Sequence, residues 1–501
     1  MNLRFLQLVF FTVLLATSWC CRPAKEPPAV DPQVPVEPTL KVSKAPTASK
    51  AAGEDWPCFL GPNHDGTSRE TGLLDKWPEQ GPPLVWTQSV GSGYSAPSVQ
   101  GALAVLHHRR GDEEIVEGFD AATGKSQWEW RYPSRFRDPY GYSNGPRCSP
   151  ILKGNRCYTL GAEGKLLCLD LETIKPVWER DLHSQFQIPD SFFGIGATPV
   201  LDGDRLYVAV GGQPNSGVVA FDANTGDVLW ENGGKSTWDG AETGWSGDPV
   251  YHWEGDEMIV SYASPQLATI HGQRHLLCFL RHGLLSLDPE TGKERFHFWF
   301  RSRTHESVNA AQPVIVDDTI LLGAAYRVGS VCLKVSPSGT EVETIWKDPR
   351  LLSTHWSTSL YLDGCYLGFS GRHENEGALQ CVDAKTGKLR WQTSGWDSDR
   401  ELQQGPGESV IDAASGQQIP WPFYGRGSAI MADGKLIVLA ERGTLALLTA
   451  TAEKWEERSR VAAPRMKYPC WAAPVLSRGR LYLRSDDAMT CLQVSKVDAG
   501  D

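Results

Sequence analysis

FDAATGKSQW, residues 119–128, is the stretch that decides the fold. Asp120 is placed to accept hydrogen bonds from the backbone of a tight turn, and Gly124 tolerates a positive φ. Trp128 then sits on the strand that leaves the turn, free to pack against a neighbouring unit. The same order returns in FDANTGDVLW (221–230), LDPETGKERF (287–296) and VDAKTGKLRW (382–391), and in degraded form in LDLETIKPVW (169–178). In every copy the aromatic falls eight residues after the aspartate. A turn chemistry that recurs in this way marks one structural unit used many times.

Working outward, each turn is preceded by a strand such as EGKLLCLD (163–170), and that strand by a strand pair such as ATPVLDGDRLYVAVGG (197–212). The unit is therefore four antiparallel strands. The aspartates at 120, 170, 222 and 288 are followed by a 95-residue interval to Asp383, which has room for a weaker copy at 310–347. Further copies begin at GRGSAIMADGKLIVLAERGTLALL and AAPVLSRGRLYLRSDDAMTCLQV, and the last lacks a fourth strand. PLVWTQSV (83–90) is a spare strand with Trp86 in the aromatic position. Added to the last unit, it closes a ring and removes an open edge. The expectation is an all-β, eight-bladed β-propeller over residues 53–501, closed by its N-terminal strand; seven blades is the competing count.

Composition agrees. The 501 residues include 19 Trp, 50 Gly and 33 Pro, as many short strands and tight turns require. The formal charge of −11 and the lack of a long basic run argue against nucleic acid as a partner. MNLR followed by FLQLVFFTVLLA reads as an export signal over residues 1–21. Ala16 and Ser18 suit ordinary cleavage, while Cys20 or Cys21 suits lipidation. Residues 22–52, rich in Pro, Ala, Lys and Val, read as a disordered tether. The expected location is periplasmic or outer-membrane-associated, with membrane contact through a lipid anchor and a monomeric propeller.

The A-x-D-x-x-T-G-K-x-x-W repeat resembles that of the pyrroloquinoline-quinone (PQQ) repeat family, which includes quinoprotein dehydrogenases and the outer-membrane assembly lipoprotein BamB. The resemblance covers roughly residues 53–494. DWPCFLGPNHDG (55–66), RSRTHESVNAAQP (301–313) and GRHENEGALQCVDAKTGK (371–388) more narrowly resemble planctomycete-type PQQ-like propeller proteins. Three functions follow as expectations: a non-catalytic binding or scaffold protein of the envelope, a PQQ- and calcium-dependent alcohol or sugar dehydrogenase, or a BamB-like assembly factor. The first leads, because no complete catalytic set is visible. The adjacent, disulfide-linked cysteines that quinoprotein dehydrogenases often carry near the cofactor have a counterpart only in Cys20-Cys21, outside the propeller.

In a propeller the segments leading into the innermost strands line one mouth of the channel. These are GYSAP (93–97), NGPRCSP (144–150), GIGATP (194–199), GWSGDP (244–249), HESVNAAQP (305–313), HWSTS (355–359), GRGSA (425–429) and YPCWAAP (468–474). They place Tyr94, Arg147, Trp245, His305, Glu306, Asn309, His355, Trp356, Arg426 and Trp471 on one ring, as a pocket for a planar, small-molecule or peptide ligand or as packing of the rim. A calcium-bound PQQ would draw on Glu306 and Asn309 as oxygen ligands, on Arg147 or Arg426 as a cation, and on Trp245 or Trp471 for stacking. His305-Glu306 is not a zinc-protease motif, since Asn309 stands where the second His belongs. His271 and His275 do not share a helical face, and His107 and His108 point to opposite sides of a strand. Of the twelve cysteines, Cys168, Cys332, Cys381 and Cys491 share a slot filled elsewhere by Gly118, Ala220 and Ser286, a small buried position. Cys157 and Cys168 flank a hairpin turn and are the pair to test for a disulfide. Residues 55–66 are expected to pack on the ring as a lead-in, where they could also cover one mouth.

Overall fold

Strands such as Leu103–Arg110 and Glu113–Asp120 are buried along nearly their whole length, whereas Ser126–Pro133 is largely half-exposed. Strands buried on both faces belong to sheets stacked face to face, and the partly exposed fourth strand is the outer edge. The computed structural model describes residues 53–189, 192–238, 242–243, 251–252, 262–302, 304, 307–396, 401–406 and 409–496. The leader, Cys20, Cys21 and the tether lie outside the described residues, as do Trp245, Asp248, His305 and Glu306.

Among the described residues there are seven four-stranded sheets and one five-stranded sheet, with a three-stranded and a two-stranded sheet inserted. The main sheets run in chain order: sheet 1 (98–133), sheet 2 (151–181), sheet 3 (200–232), sheet 4 (266–299), sheet 5 (314–348), sheet 6 (360–393), sheet 7 (428–462) and sheet 8 (475–493). The fold is an all-β propeller. Leu84–Ser89 joins sheet 8 as its outer strand, antiparallel to Ala488–Gln493, with Trp86 opposite Cys491. Thr67–Ser68 lies parallel to Ser428–Ala432 of sheet 7, which makes that sheet five-stranded.

Buried clusters join each sheet to the next. Val105 and Val116 of sheet 1 pack with Leu152 and Leu167 of sheet 2, and Tyr158 of sheet 2 with Val208 and Phe221 of sheet 3. The series continues through Tyr207 and Leu276, Phe279 and Leu322, Leu321 and Tyr366, and Leu379 and Val438. A final cluster joins Leu445 of sheet 7, Leu483 and Met489 of sheet 8, and Ala104 and Phe119 of sheet 1. Each large side chain fully buried in such a seam contributes about 1.5–3 kcal/mol.

The repeated decapeptide works across these seams. Asp120 Oδ1 accepts from Thr123 N at 2.8 Å, and Gly124 sits at φ 69°. The indole that covers this turn comes from the preceding sheet: Trp86 Nε1 donates to Ala121 O at 3.1 Å, and a Cβ on Gly124 would lie 2.5 Å from its ring. Trp178, Trp230 and Trp346 repeat both contacts, with Ala223 and Gly226, Pro289 and Gly292, and Ala384 and Gly387. Trp391 donates to Thr451 O at 2.9 Å. In the degraded copy, Ile174 holds the glycine's place at φ 52°. The small slot also has its reason. Gly118, Cys168, Ala220, Ser286, Cys332, Cys381 and Cys491 each lie directly opposite the aromatic on the neighbouring strand, so a larger side chain would collide with it.

The Cys157–Cys168 disulfide is not formed. Both are free thiols, and Cys157 pairs with Leu169 while Cys168 pairs with Tyr158. The one-residue offset turns them to opposite faces, into the seams with sheets 1 and 3 respectively. No helix among the described residues is long and apolar enough to cross a membrane.

Replacing Trp178 by Ala should destabilise the protein by about 3–5 kcal/mol in urea unfolding, whereas Trp178→Phe, which keeps the ring over Gly226, should cost about 1–2 kcal/mol. Equal losses for the two variants would contradict docking of this indole as the inter-sheet contact.

Candidate functional site

In a sheet of four antiparallel strands, the segment approaching the first strand and the turn between the second and third lie at the same end. The other two turns lie at the opposite end. That opposite end is covered by residues 54–70. Trp56 bridges to Val99 of sheet 1, Pro57 O accepts from Leu152 N of sheet 2, and His64 O accepts from Gln266 of sheet 4. Gly66 O accepts from Met431 N of sheet 7, and Asp55 meets Arg478 of sheet 8. The lead-in thus bonds to five of the eight sheets, and Phe59 forms part of the floor of a cavity above it.

That cavity has a volume of about 590 Å³ and takes a residue from the approach to every sheet, among them Tyr94, Arg147, Gly196, Tyr262, Ala310, Trp356, Arg426 and Trp471. Its wall is a belt of rings. Tyr94 and Trp356 each lie 4.9 Å from Trp471, His355 lies 4.9 Å from Trp356, and Tyr326 lies 5.4 Å from His355. Across the cavity, Tyr142 meets Trp471 at 5.5 Å, and Phe193 meets Tyr140 at 5.4 Å and Tyr262 at 5.5 Å. Arginines stack on this belt: Arg147 over Tyr94 and Phe193, Arg426 4.5 Å from Trp356, and Arg372 4.5 Å from Tyr326.

Two of these arginines are charge-paired. Arg147 donates to Asp138 at 2.8 Å, and Asp138 also accepts from the backbone of Tyr140 and Ser143. Arg426 pairs with Glu441, whose Oε1 also accepts from Trp471 Nε1 at 2.7 Å. Burial, reinforced by Arg426 and Arg372, lowers the His355 pKa to about 3, so its imidazole is neutral at physiological pH. Its Nε2 faces Tyr326 Oη at 3.2 Å, but Nδ1 has no partner, and neither has the buried Nε1 of Trp356. Burial pushes the phenols of Tyr94 and Tyr326 upward.

Of the residues singled out in the sequence, Arg147, His355, Arg426 and Trp471 come together here, with Tyr94 and Trp356. Asn309 does not belong to the wall. Its side-chain amide nitrogen donates to the carbonyls of Leu280, Arg281 and Phe300, and its backbone carbonyl accepts from the backbone N–H of Tyr262 and Ala263, so it clamps the loops behind. Asp138 and Glu441 are committed to Arg147 and Arg426, and Glu306, the other residue expected to ligate calcium, lies outside the described residues. The histidine pairs elsewhere also hold separate partners: His107 meets Tyr132 and Glu114, His108 meets Glu117, His271 meets Val335 O, and His275 meets Ser286. Tyr140, Tyr142, Phe192, Phe193, Tyr326, Arg372 and His373 were not expected from sequence. Tyr326 and Arg372 sit in turns between second and third strands, and those turns share the mouth by the same up-and-down geometry.

The sequence profile described as outer membrane protein assembly factor BamB matches residues 112–393. No curated protein is significantly similar in sequence. Among solved structures, the quinohemoprotein alcohol dehydrogenase of Comamonas testosteroni superposes with a TM-score of 0.56 at 12% identity, covering 89% of this chain and 82% of that one. A second such dehydrogenase, from Pseudomonas putida HK5, gives 0.51 at 13% identity over 89% and 81%. BamB of Moraxella catarrhalis gives 0.49 at 16% identity over 81% and 100%. At such identities the likeness is one of fold.

The neutral His355 also fixes a sign for pH. The unfolded chain takes up a proton near the ordinary value of 6.5 that the folded chain refuses until about 3, so this group's share of stability is full above pH 6.5 and is lost as pH falls. His355→Gln should therefore show a smaller drop in Tm between pH 7 and pH 5 than the parent protein. Parallel Tm–pH curves would show that His355 is protonated in the fold.

Proposed function

This chain belongs to the BamB-like, PQQ-repeat propeller family, and from that premise we propose that it is an envelope-associated binding protein whose central cavity holds a flat-faced ligand without transforming it. The observation that carries the reading is the pair of unpartnered buried nitrogens, His355 Nδ1 and Trp356 Nε1, in a wall made largely of rings and of arginines stacked on them. A buried indole N–H without an acceptor costs about 1–3 kcal/mol, which a ligand carrying an acceptor at the edge of a flat face recovers. A small planar molecule satisfies this, as does an aromatic side chain presented by a protein partner.

The same wall supports the reading without chemistry. A general base needs a pKa near the working pH and a free lone pair. His355 is far too weak a base, and Asp138 and Glu441 are held by Arg147 and Arg426. The proposal extends to an eight-bladed closed ring. Its support is the series of seams that returns from sheet 8 to sheet 1 and the one cavity to which all eight approaches contribute. It further includes export by residues 1–21, lipidation at Cys20 or Cys21, a tether at 22–52 and a monomeric propeller, supported by the character of those segments.

The test has two arms on protein recovered from the envelope fraction. Saturable binding of an uncharged bicyclic probe such as indole is expected, weakened about tenfold by Trp356→Ala. After addition of PQQ and calcium, simple alcohols and sugars should give no reduction of a redox dye. Steady turnover that requires both additions would replace this reading with that of a dehydrogenase.

A further inference from the structure

Beside the central cavity lies a second cleft of about 700 Å³, in the angle between sheets 5 and 6 at the same mouth. The two share Tyr326, Arg372 and His373. The character of this second cleft is different. Its walls carry Arg327, from the turn between the second and third strands of sheet 5, Arg350, just after that sheet's last strand, and Arg372, from the corresponding turn of sheet 6. None of the three guanidinium groups has an ion-pair or hydrogen-bond partner among the described residues. Arg147 and Arg426, a few residues from the same mouth, both have one.

Among the described residues, the acids nearby have other partners. Glu376, which lines the cleft, accepts from the backbone N–H of Arg372 at 3.1 Å and of His373 at 3.2 Å, closing its own turn. Glu374 pairs with Arg442. Three guanidinium groups without an acidic partner among the described residues line one cleft, a local excess of positive charge in a chain of net charge −11. The backbone adds to this, since Tyr326 and Arg327 are consecutive non-glycine residues in the left-handed region, at φ 65° and 66°. Such conformations cost about 1–2 kcal/mol each and are retained where they aim side chains. Here the turn sends Arg327 to the cleft while Tyr326 stays on the shared wall under Arg372.

We propose that this cleft is an oxyanion subsite: Arg327, Arg350 and Arg372 take a carboxylate, sulfate or phosphate group of the ligand whose flat body occupies the central cavity. The inference rests on the binding function proposed above and adds to it that the ligand is acidic. The forked donors of arginine suit all three groups, since each offers oxygens in pairs.

The experiment is isothermal titration at low ionic strength with three probes, acetate, sulfate and phosphate, on the full chain and on Arg327→Gln, Arg350→Gln and Trp356→Ala. One saturable site is expected, weakened about tenfold by either arginine substitution, weakened further by added sodium chloride, and unchanged by Trp356→Ala. The probe bound most tightly identifies the group. Both arginines are exposed, so the variants should melt with the parent, and a melting curve confirms it. No saturable binding, or equal binding by parent and arginine variants, overturns the proposal. If indole binding still depends on Trp356 in that case, the central-cavity reading stands without it.

Discussion

The structure depends on one contact made repeatedly: a tryptophan on the outer strand of one sheet lies over the turn glycine of the next and hydrogen-bonds beside it. A propeller has no central core to hold its sheets in order, so each seam must specify its own geometry. An indole on a glycine does this in two ways. The flat ring excludes any side chain at the turn, and the N–H fixes the ring's direction with a bond to Ala121, Ala223, Pro289 or Ala384. The aspartate that caps the turn and the small residue beneath the ring are consequences of the same contact. The first holds the glycine in place, and the second leaves room for the indole.

That order creates two unlike ends. At one, the chain's own residues 54–70 bond across five of the sheets. At the other, the approaches and the second-to-third-strand turns build an aromatic cavity with an arginine-lined cleft beside it. The paired arginines, Arg147 and Arg426, serve the wall by holding rings and carboxylates together. Arg327, Arg350 and Arg372 line the cleft without an acidic partner among the described residues, Arg372 lying over the Tyr326 ring.

The repeat was legible in the sequence because its chemistry is local: Asp, Gly and Trp act within ten residues of one another. The strand around Trp86 was legible for the same reason, since it carried the aromatic of a unit without a turn of its own. The ring of approach residues followed from the repeat and gave Arg147, His355, Arg426 and Trp471. Asn309 was assigned to that ring by position, but whether an amide faces a cavity or three carbonyls behind it depends on loops distant in sequence. Tyr326 and Arg372 were missed because the turns that hold them have no repeated pattern. Cys157 and Cys168 were misread by a single residue of register, which in a strand exchanges one face for the other. The parallel pairing of Thr67–Ser68 with sheet 7 joins segments more than 350 residues apart and left no local mark.

Closure of the ring is the claim most directly open to measurement, through hydrogen exchange of the amides in 84–89 and 488–493. Paired as Trp86 is with Cys491 and Gln88 with Met489, the two segments should exchange slowly and as one cooperative unit. Exchange of 84–89 at the rate of a free peptide, with 488–493 still protected, would contradict the account.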